Sequence, residues 1–157
     1  MGFDSREFQE LMEGLKSLQK QHEVFIRNFL TEMGLRALAQ TKSLTPVDTG
    51  NLRERWELSQ VFRKGDSLYV IIFNPVIYAS FVEDGHMQRK RWLPGEWVGK
   101  KKFKYIKGHD KGMMLTERWV PGYHMARISI NKIERELPMR YERAFKEFIK
   151  GLGVAGW

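Results

Sequence analysis

The tripeptide Asp48-Thr49-Gly50 is the stretch whose residue types most directly suggest chemistry, because the same triplet supplies the catalytic carboxylate of aspartic proteases. That reaction needs two carboxylates that share one proton. A single such triplet could meet the requirement only in a homodimer of the retroviral type. Those enzymes carry apolar residues just before the Asp, a small residue and an Asp after the Gly, and a later apolar-Gly-Arg segment. Here Thr45-Pro46-Val47 precedes the triplet, Asn51-Leu52-Arg53 follows it, and the upstream chain reads as helix. The structural reading is therefore preferred. Asp48 and Thr49 are helix-capping types, Gly50 permits a tight backbone, and residues 51–55 can form one helical turn. On that reading Leu52 turns inward, Arg53 is available to an acid, and Asp48→Asn costs about 1 kcal/mol or less as a change of cap.

Other catalytic signatures are missing from the sequence. His22, His86, His109 and His124 form no ligand pair at helical spacing, and the Glu83-Asp84-Gly85-His86 cluster falls at a turn. Zinc sites use defined sets of three or four ligands. The chain has no cysteine, which excludes disulfides and thiolate metal sites. Neither a nucleophile elbow nor a phosphate-cradling glycine loop occurs. We expect no enzymatic activity, no metal and no cofactor.

Charge gives the strongest compositional signal. The chain carries a formal net charge of +8. Residues 86–111 hold nine Lys or Arg against two acids, a balance of +7, while the remainder is nearly neutral with 18 against 17. Within that segment Arg89-Lys90-Arg91-Trp92 and Lys100-Lys101-Lys102-Phe103-Lys104-Tyr105 interleave cations with aromatics, and Trp97 lies between them. Such mixtures suit phosphate backbones and bases. They also suit an acidic protein partner, or a loop that is merely solvated. Trp92 and Trp97 are costly to leave in water and should meet the core or a neighbour.

The 157 residues suit a single domain spanning 1–157. Residues 4–44 predict a helix, because Phe8, Leu11, Met12, Leu15, Leu18, Phe25, Phe29, Met33 and Ala37 fall on one face. Asp4 or Ser5 can cap its start. Gly14 and Gly34 weaken the pattern by about 1 kcal/mol each, and the segment could be two helices joined near 20–23. An unbroken helix of about 40 residues would be some 60 Å long, against a globule roughly 30 Å across. Part of it must project, bend or pack on another subunit. Pro46 ends it. Residues 56–63 and 67–73 predict two strands around a Lys64-Gly65-Asp66 turn, the second central in the sheet because it is apolar on both faces. Residues 77–83 predict a short helix closed by Asp84-Gly85. Residues 86–112 show no period and are expected to form a long basic loop. Residues 113–120 predict a third strand, and residues from 124 an amphipathic helix that Pro138 kinks or splits. Residues 151–157 form a glycine-rich, flexible tail. The expected fold class is α+β: a long N-terminal helix, a small antiparallel sheet of about three strands, the long basic loop and a C-terminal amphipathic helix. No segment looks like a signal peptide or a membrane span, so we expect a soluble protein with no membrane partner.

The order of segments resembles a known family. Thr45-Pro46-Val47-Asp48-Thr49-Gly50-Asn51-Leu52-Arg53 is followed by two strands and then by Asn74-Pro75-Val76-Ile77-Tyr78-Ala79-Ser80-Phe81-Val82-Glu83-Asp84-Gly85. This is similar to the tail-component family of long-tailed bacteriophages and prophages. Its members show P-V-D-T-G-x-L-R, then Y-A-x-x-V-E-x-G, then a glycine- and aromatic-containing region and a final amphipathic helix. Asp48, Thr49, Gly50, Leu52 and Arg53 fill the first motif, and Tyr78, Ala79, Val82, Glu83 and Gly85 the second. The resemblance covers about residues 30–150. The charge and length of 86–112 depart from the pattern. The resemblance implies a non-enzymatic virion protein of the neck or tail-completion region, made in the bacterial host cytoplasm. It would form a homo-oligomeric ring, often sixfold, against head-connector and tail-tube proteins, with DNA passing through the channel. The alternative is a nucleic-acid-binding module that uses the basic aromatic segment 86–111. Arg89, Lys90, Arg91, Trp92, Trp97, Lys100, Lys101, Lys102 and Lys104 are the candidate contacts to a partner or to DNA.

Overall fold

The computed structural model describes residues 5–153. The start cap expected from Asp4 or the Ser5 side chain, and residues 154–157 of the expected tail, lie outside them. The fold is α+β, with two long helices and a set of small antiparallel sheets. It partitions into two compact units. The first joins the residues up to Val76 with those from Met125 onward, and the second runs from Ile77 to His124. No helix among the described residues is long and apolar enough to cross a membrane.

In the first unit, helix α1 (Ser5–Leu44) is unbroken. The sterically exacting point is Gly34, where an added Cβ would come within 2.8 Å of Leu58. The glycine that lowers helix propensity is thus what lets the hairpin side chains seat against α1. Helix α4 (Met125–Gly151) packs antiparallel along the C-terminal part of α1. Pro138 lies inside α4 without ending it. Pro138 is exposed, and so is Glu134, whose carbonyl loses its helical donor, so water can replace the missing hydrogen bond.

The helix pair is held by rings. Phe25 stacks on Phe148 at 4.7 Å between centroids, and Phe29 meets Tyr141 edge-on at 5.5 Å. Each such pair adds about 0.5–1.5 kcal/mol beyond area burial. Phe29, Met33, Ala37 and Ile133 form the buried cluster, with Ile72, Tyr141 and Ala144 packed against it.

The connection from α1 is fixed by a buried polar relay. The Trp56 indole Nε1 donates to Thr45 Oγ1 at 2.9 Å, and that hydroxyl donates to the Thr41 carbonyl at 2.7 Å. All three residues are buried. The short helix α2 (Asn51–Glu54) lies between the two ends of this relay.

The two expected strands exist as four short ones. β1 (Glu57–Leu58) pairs with β4 (Ile72–Phe73), and β2 (Phe62–Lys64) pairs with β3 (Ser67–Tyr69), all antiparallel in one hairpin. The break has a cause: the Ser59 hydroxyl accepts the Ile71 N–H at 2.9 Å, where a continuous ladder would use a carbonyl. The second arm is not central, because each of its parts has a single neighbour. It is apolar on both faces for another reason. Val70 lies against α1 at Gly34, while Tyr69, Ile71 and Phe73 remain exposed. Arg27 ties α1 to the hairpin by donating to the Val61 carbonyl at 3.1 Å, and Glu23 pairs with both Arg27 and Arg63.

The second unit corrects the expectation of a structureless loop. Helix α3 (Ala79–Asp84) leads into β5 (Gly85–Gln88), β6 (Arg91–Val98), β7 (Lys102–Tyr105), β8 (Gly112–Leu115) and β9 (Arg118–Pro121). β5 pairs with β9, and β6 is central between β7 and β8. Pro94 and Gly95 read as strand breakers in the sequence. They sit instead where β6 changes partner, from β8 before them to β7 after them. The single strand expected over 113–120 is likewise two strands with different partners.

Two measurements test this packing. Trp56→Phe should remove the buried donor to Thr45 and lower unfolding free energy by about 1–3 kcal/mol in urea titration, with the fold retained. The Arg27 hydrogen bond, then the Arg63 hydrogen bond, hold the Glu23 carboxyl below its ordinary value. Arg140 and Lys146 lower Glu136 and Glu142 in the same way. A depressed folded-state value stabilises above the unfolded value and is lost as pH falls through the folded one. Stability should therefore decline on acidification below the ordinary carboxylate range, and Glu23→Gln should make that decline shallower.

Candidate functional site

The expected turn motif is present but uses different atoms. Gly50, at φ 87°, is the N-cap of α2, and no side chain caps the helix. Asp48 and Thr49 are exposed, and the nearest approach to capping is a long 3.5 Å contact from the Asn51 N–H to Thr49 Oγ1. The capping role expected of Asp48 is thus taken by glycine's left-handed backbone. Asp48→Asn has no cap bond to lose. Leu52 is buried and Arg53 exposed. The Leu52 carbonyl accepts from Asn74 Nδ2 at 2.8 Å, which ties the first motif to the start of the second. Asp48 sits on an exposed bend.

The second motif opens the other unit. Ala79 is buried, Val82 and Glu83 are half-buried, and Tyr78 is exposed. Their backbone is recruited by the far end of the unit. Tyr123 N–H donates to the Val82 carbonyl at 2.8 Å, and His124 N–H to the Glu83 carbonyl at 3.0 Å. Gly85 lies under the Trp119 ring, where a Cβ would come within 2.9 Å of the indole.

The candidate contact residues fall on one piece of sheet. Opposite residues of an antiparallel pair share a face. The register Glu96↔Lys104, Val98↔Lys102 and Trp92↔Met114 puts these six on one face. All six are exposed. The other face carries Leu93, Phe103, Met113 and Leu115, each half-buried, with Arg91, Trp97 and Tyr105 exposed at its edges. Lys100 and Lys101 form the turn between β6 and β7, and Arg89 and Lys90 the link from β5 to β6. The structure therefore brings Trp92, Lys102 and Lys104 together on one face and Lys100 and Lys101 to the tip beside them. Arg91 and Trp97 fall on the opposite side. Trp97 meets Phe103 edge-on at 5.4 Å but stays 56% exposed, and Trp92 is 50% exposed, so neither indole meets the core.

Sequence reasoning missed Met87 and Trp119. They are cross-strand partners, both more than half exposed. Only the 85–88 to 118–121 pairing unites them. His86 and His124, weighed in the sequence only as metal ligands, have Nδ1 atoms that are buried without a hydrogen-bond partner among the described residues. Among the described residues no group of three or more His, Cys, Asp or Glu is arranged to hold a metal ion.

A further surface belongs to the helices. A groove of about 630 Å³ runs along α1 and α4, lined by Val24, Phe25, Phe29, Ala144 and Phe148 with Lys20, Glu32 and Glu147 at its rim. Beyond it, α1 continues past the end of α4 with Phe8, Leu11, Met12, Leu15 and Leu18 exposed. These five keep the spacing of the seam that α4 covers.

Comparison with known proteins agrees with the two motifs. Residues 9–85 match the family described as "Bacteriophage HK97-gp10, putative tail-component". A curated relative, the uncharacterized protein YqbI of Bacillus subtilis (strain 168), is 37% identical over 79 residues, covering 39% of this chain and 47% of that protein. The match thus spans about half the length of that relative. No solved structure matches the chain.

Gly95 offers a direct test of the sheet. Its φ is 150°, and an added Cβ would lie 2.1 Å from the Lys104 carbonyl oxygen. Gly99 also has positive φ, but nothing lies within 4 Å of its missing Cβ. Gly95→Ala should disrupt the β6–β7 pair and shift tryptophan fluorescence and near-ultraviolet dichroism. Gly99→Ala should leave both spectra close to those of the parent.

Proposed function

We propose that this chain, whose residues 9–85 match the HK97-gp10-like family of bacteriophage tail components, is a structural virion protein of the neck. In this role it joins or closes the tail at the head connector as one subunit of a homo-oligomeric ring. The family description is that of a structural component rather than a catalyst.

The observation that carries this reading is the uncovered seam of α1. The stripe that α4 buries from Phe25 to Ala37 continues through Phe8, Leu11, Met12, Leu15 and Leu18, where 40–58% of each residue is exposed. An isolated helical extension of that length is marginal in water, and its stability comes from covering an apolar face. The hairpin repeats the pattern, with Phe62, Tyr69, Ile71 and Phe73 exposed and the first two stacked at 5.9 Å. A ring subunit needs two different apolar surfaces, since a head-to-tail contact repeats around the axis. The projecting stripe and the outer hairpin face supply such a pair. Head-connector and tail-tube proteins are the further partners this position implies, and the virion neck is the location.

Interrupting the coding sequence in the phage or prophage that carries it tests this role. The expected lysate contains filled heads and tails that do not join, and supplying the protein in trans restores whole particles. Normal particles without the protein, or heads with no tails at all, would contradict the neck assignment.

A further inference from the structure

Residues 86–111 concentrate nine cations against two acids. Elsewhere, glutamates of α1 and α4 pair with nearby cations, as in Glu32–Arg36 and Glu136–Arg140. Among the described residues, no ion pair engages any of the nine. Even Glu96, directly across the β6–β7 pair from Lys104, does not reach ion-pair distance. Such a concentration of unneutralised cations raises the local potential and favours a polyanion.

The geometry narrows the class. β6 and β7 form a two-stranded ribbon over Gly95↔Tyr105 to Val98↔Lys102, tipped by Gly99, Lys100 and Lys101. Its four paired positions reach about 14 Å, with strands about 4.8 Å apart. A ribbon of this kind fits the major groove of duplex DNA, which is about 12 Å wide. Lys102 and Lys104 lie on one face about 7 Å apart by the strand repeat. That spacing lets both ammonium groups reach phosphates of one strand lining the groove. Each indole has one contact within the sheet, and both residues stay about half exposed. Trp97 packs on Phe103, and the Trp92 ring covers Gly112, within 2.7 Å of where a Cβ would stand. Stacking on single strands requires open ring faces, whereas a grip on phosphates requires only the lysines.

We propose that the β6–β7 ribbon is a duplex-DNA-binding site, with Lys100, Lys101, Lys102 and Lys104 contacting phosphates without reading sequence. The site stands on the second unit alone and does not depend on ring formation.

The test is fluorescence anisotropy of the full chain with a labelled duplex of about 30 base pairs and arbitrary sequence, across about 50–200 mM salt. The same measurement uses a single strand of equal length, with polyglutamate as competitor. The expected result is duplex binding whose log affinity falls linearly with log salt. Replacing Lys100, Lys101, Lys102 and Lys104 together with Ala should make that slope shallower by about four and weaken binding by at least about 100-fold at low salt. Replacing Lys16, Lys20, Lys132 and Lys150 removes the same charge elsewhere and should change the slope by about one or less. Equal loss in both variants would show charge attraction without a site and overturn the proposal. So would tighter binding to the single strand, or polyglutamate competing as well as duplex per unit charge. The second result would assign the surface to base stacking, the third to an acidic protein.

Discussion

The aromatic seam between α1 and α4 is the contact on which the rest of the first unit depends. Phe25, Phe29, Tyr141, Phe145 and Phe148 interlock along it, and the buried Met33, Ala37 and Ile133 extend it toward the hairpin. α4 has 27 residues and α1 has 40. Antiparallel packing with Phe148 beside Phe25 leaves the first turns of α1 without a cover. An apolar surface that the chain cannot bury itself follows from that difference in length.

Much of this was legible in the sequence. The helix of residues 4–44 was readable because one apolar stripe persists across it, and the buried Leu52 and the turn at Gly50 followed from the order of residue types. The role of Gly34 was not, because its reason lies in Leu58, 24 positions later. The failure at 86–112 is instructive. Lys102-Phe103-Lys104-Tyr105 does alternate with strand period, but Pro94, Gly95, Gly99 and Gly108 interrupt every longer window. Those glycines and the proline mark where strands change partner or turn, and partner identity is a long-range property. The absence of a cap bond from Asp48 was likewise invisible, since residue type shows what can cap and only geometry shows what does.

The two motifs acquire a common physical meaning. The first ends α1 and starts the hairpin, and Asn74 of the second donates back to Leu52 within it. The remaining part of the second motif supplies the carbonyls of Val82 and Glu83 that fix the backbone of Tyr123 and His124. Each motif thus closes one unit on itself. The surfaces between them carry what differs: exposed apolar rows on the helix and hairpin, and unpaired lysines on the ribbon. In the proposed ring, these are the surfaces that other chains would bury.

Native mass spectrometry of the purified chain over a concentration series tests that claim most directly. The proposed ring predicts one closed species of about six copies, the number that the family resemblance implies, forming without intermediate sizes as concentration rises. A strict dimer, or a monomer that persists at every concentration, would contradict it.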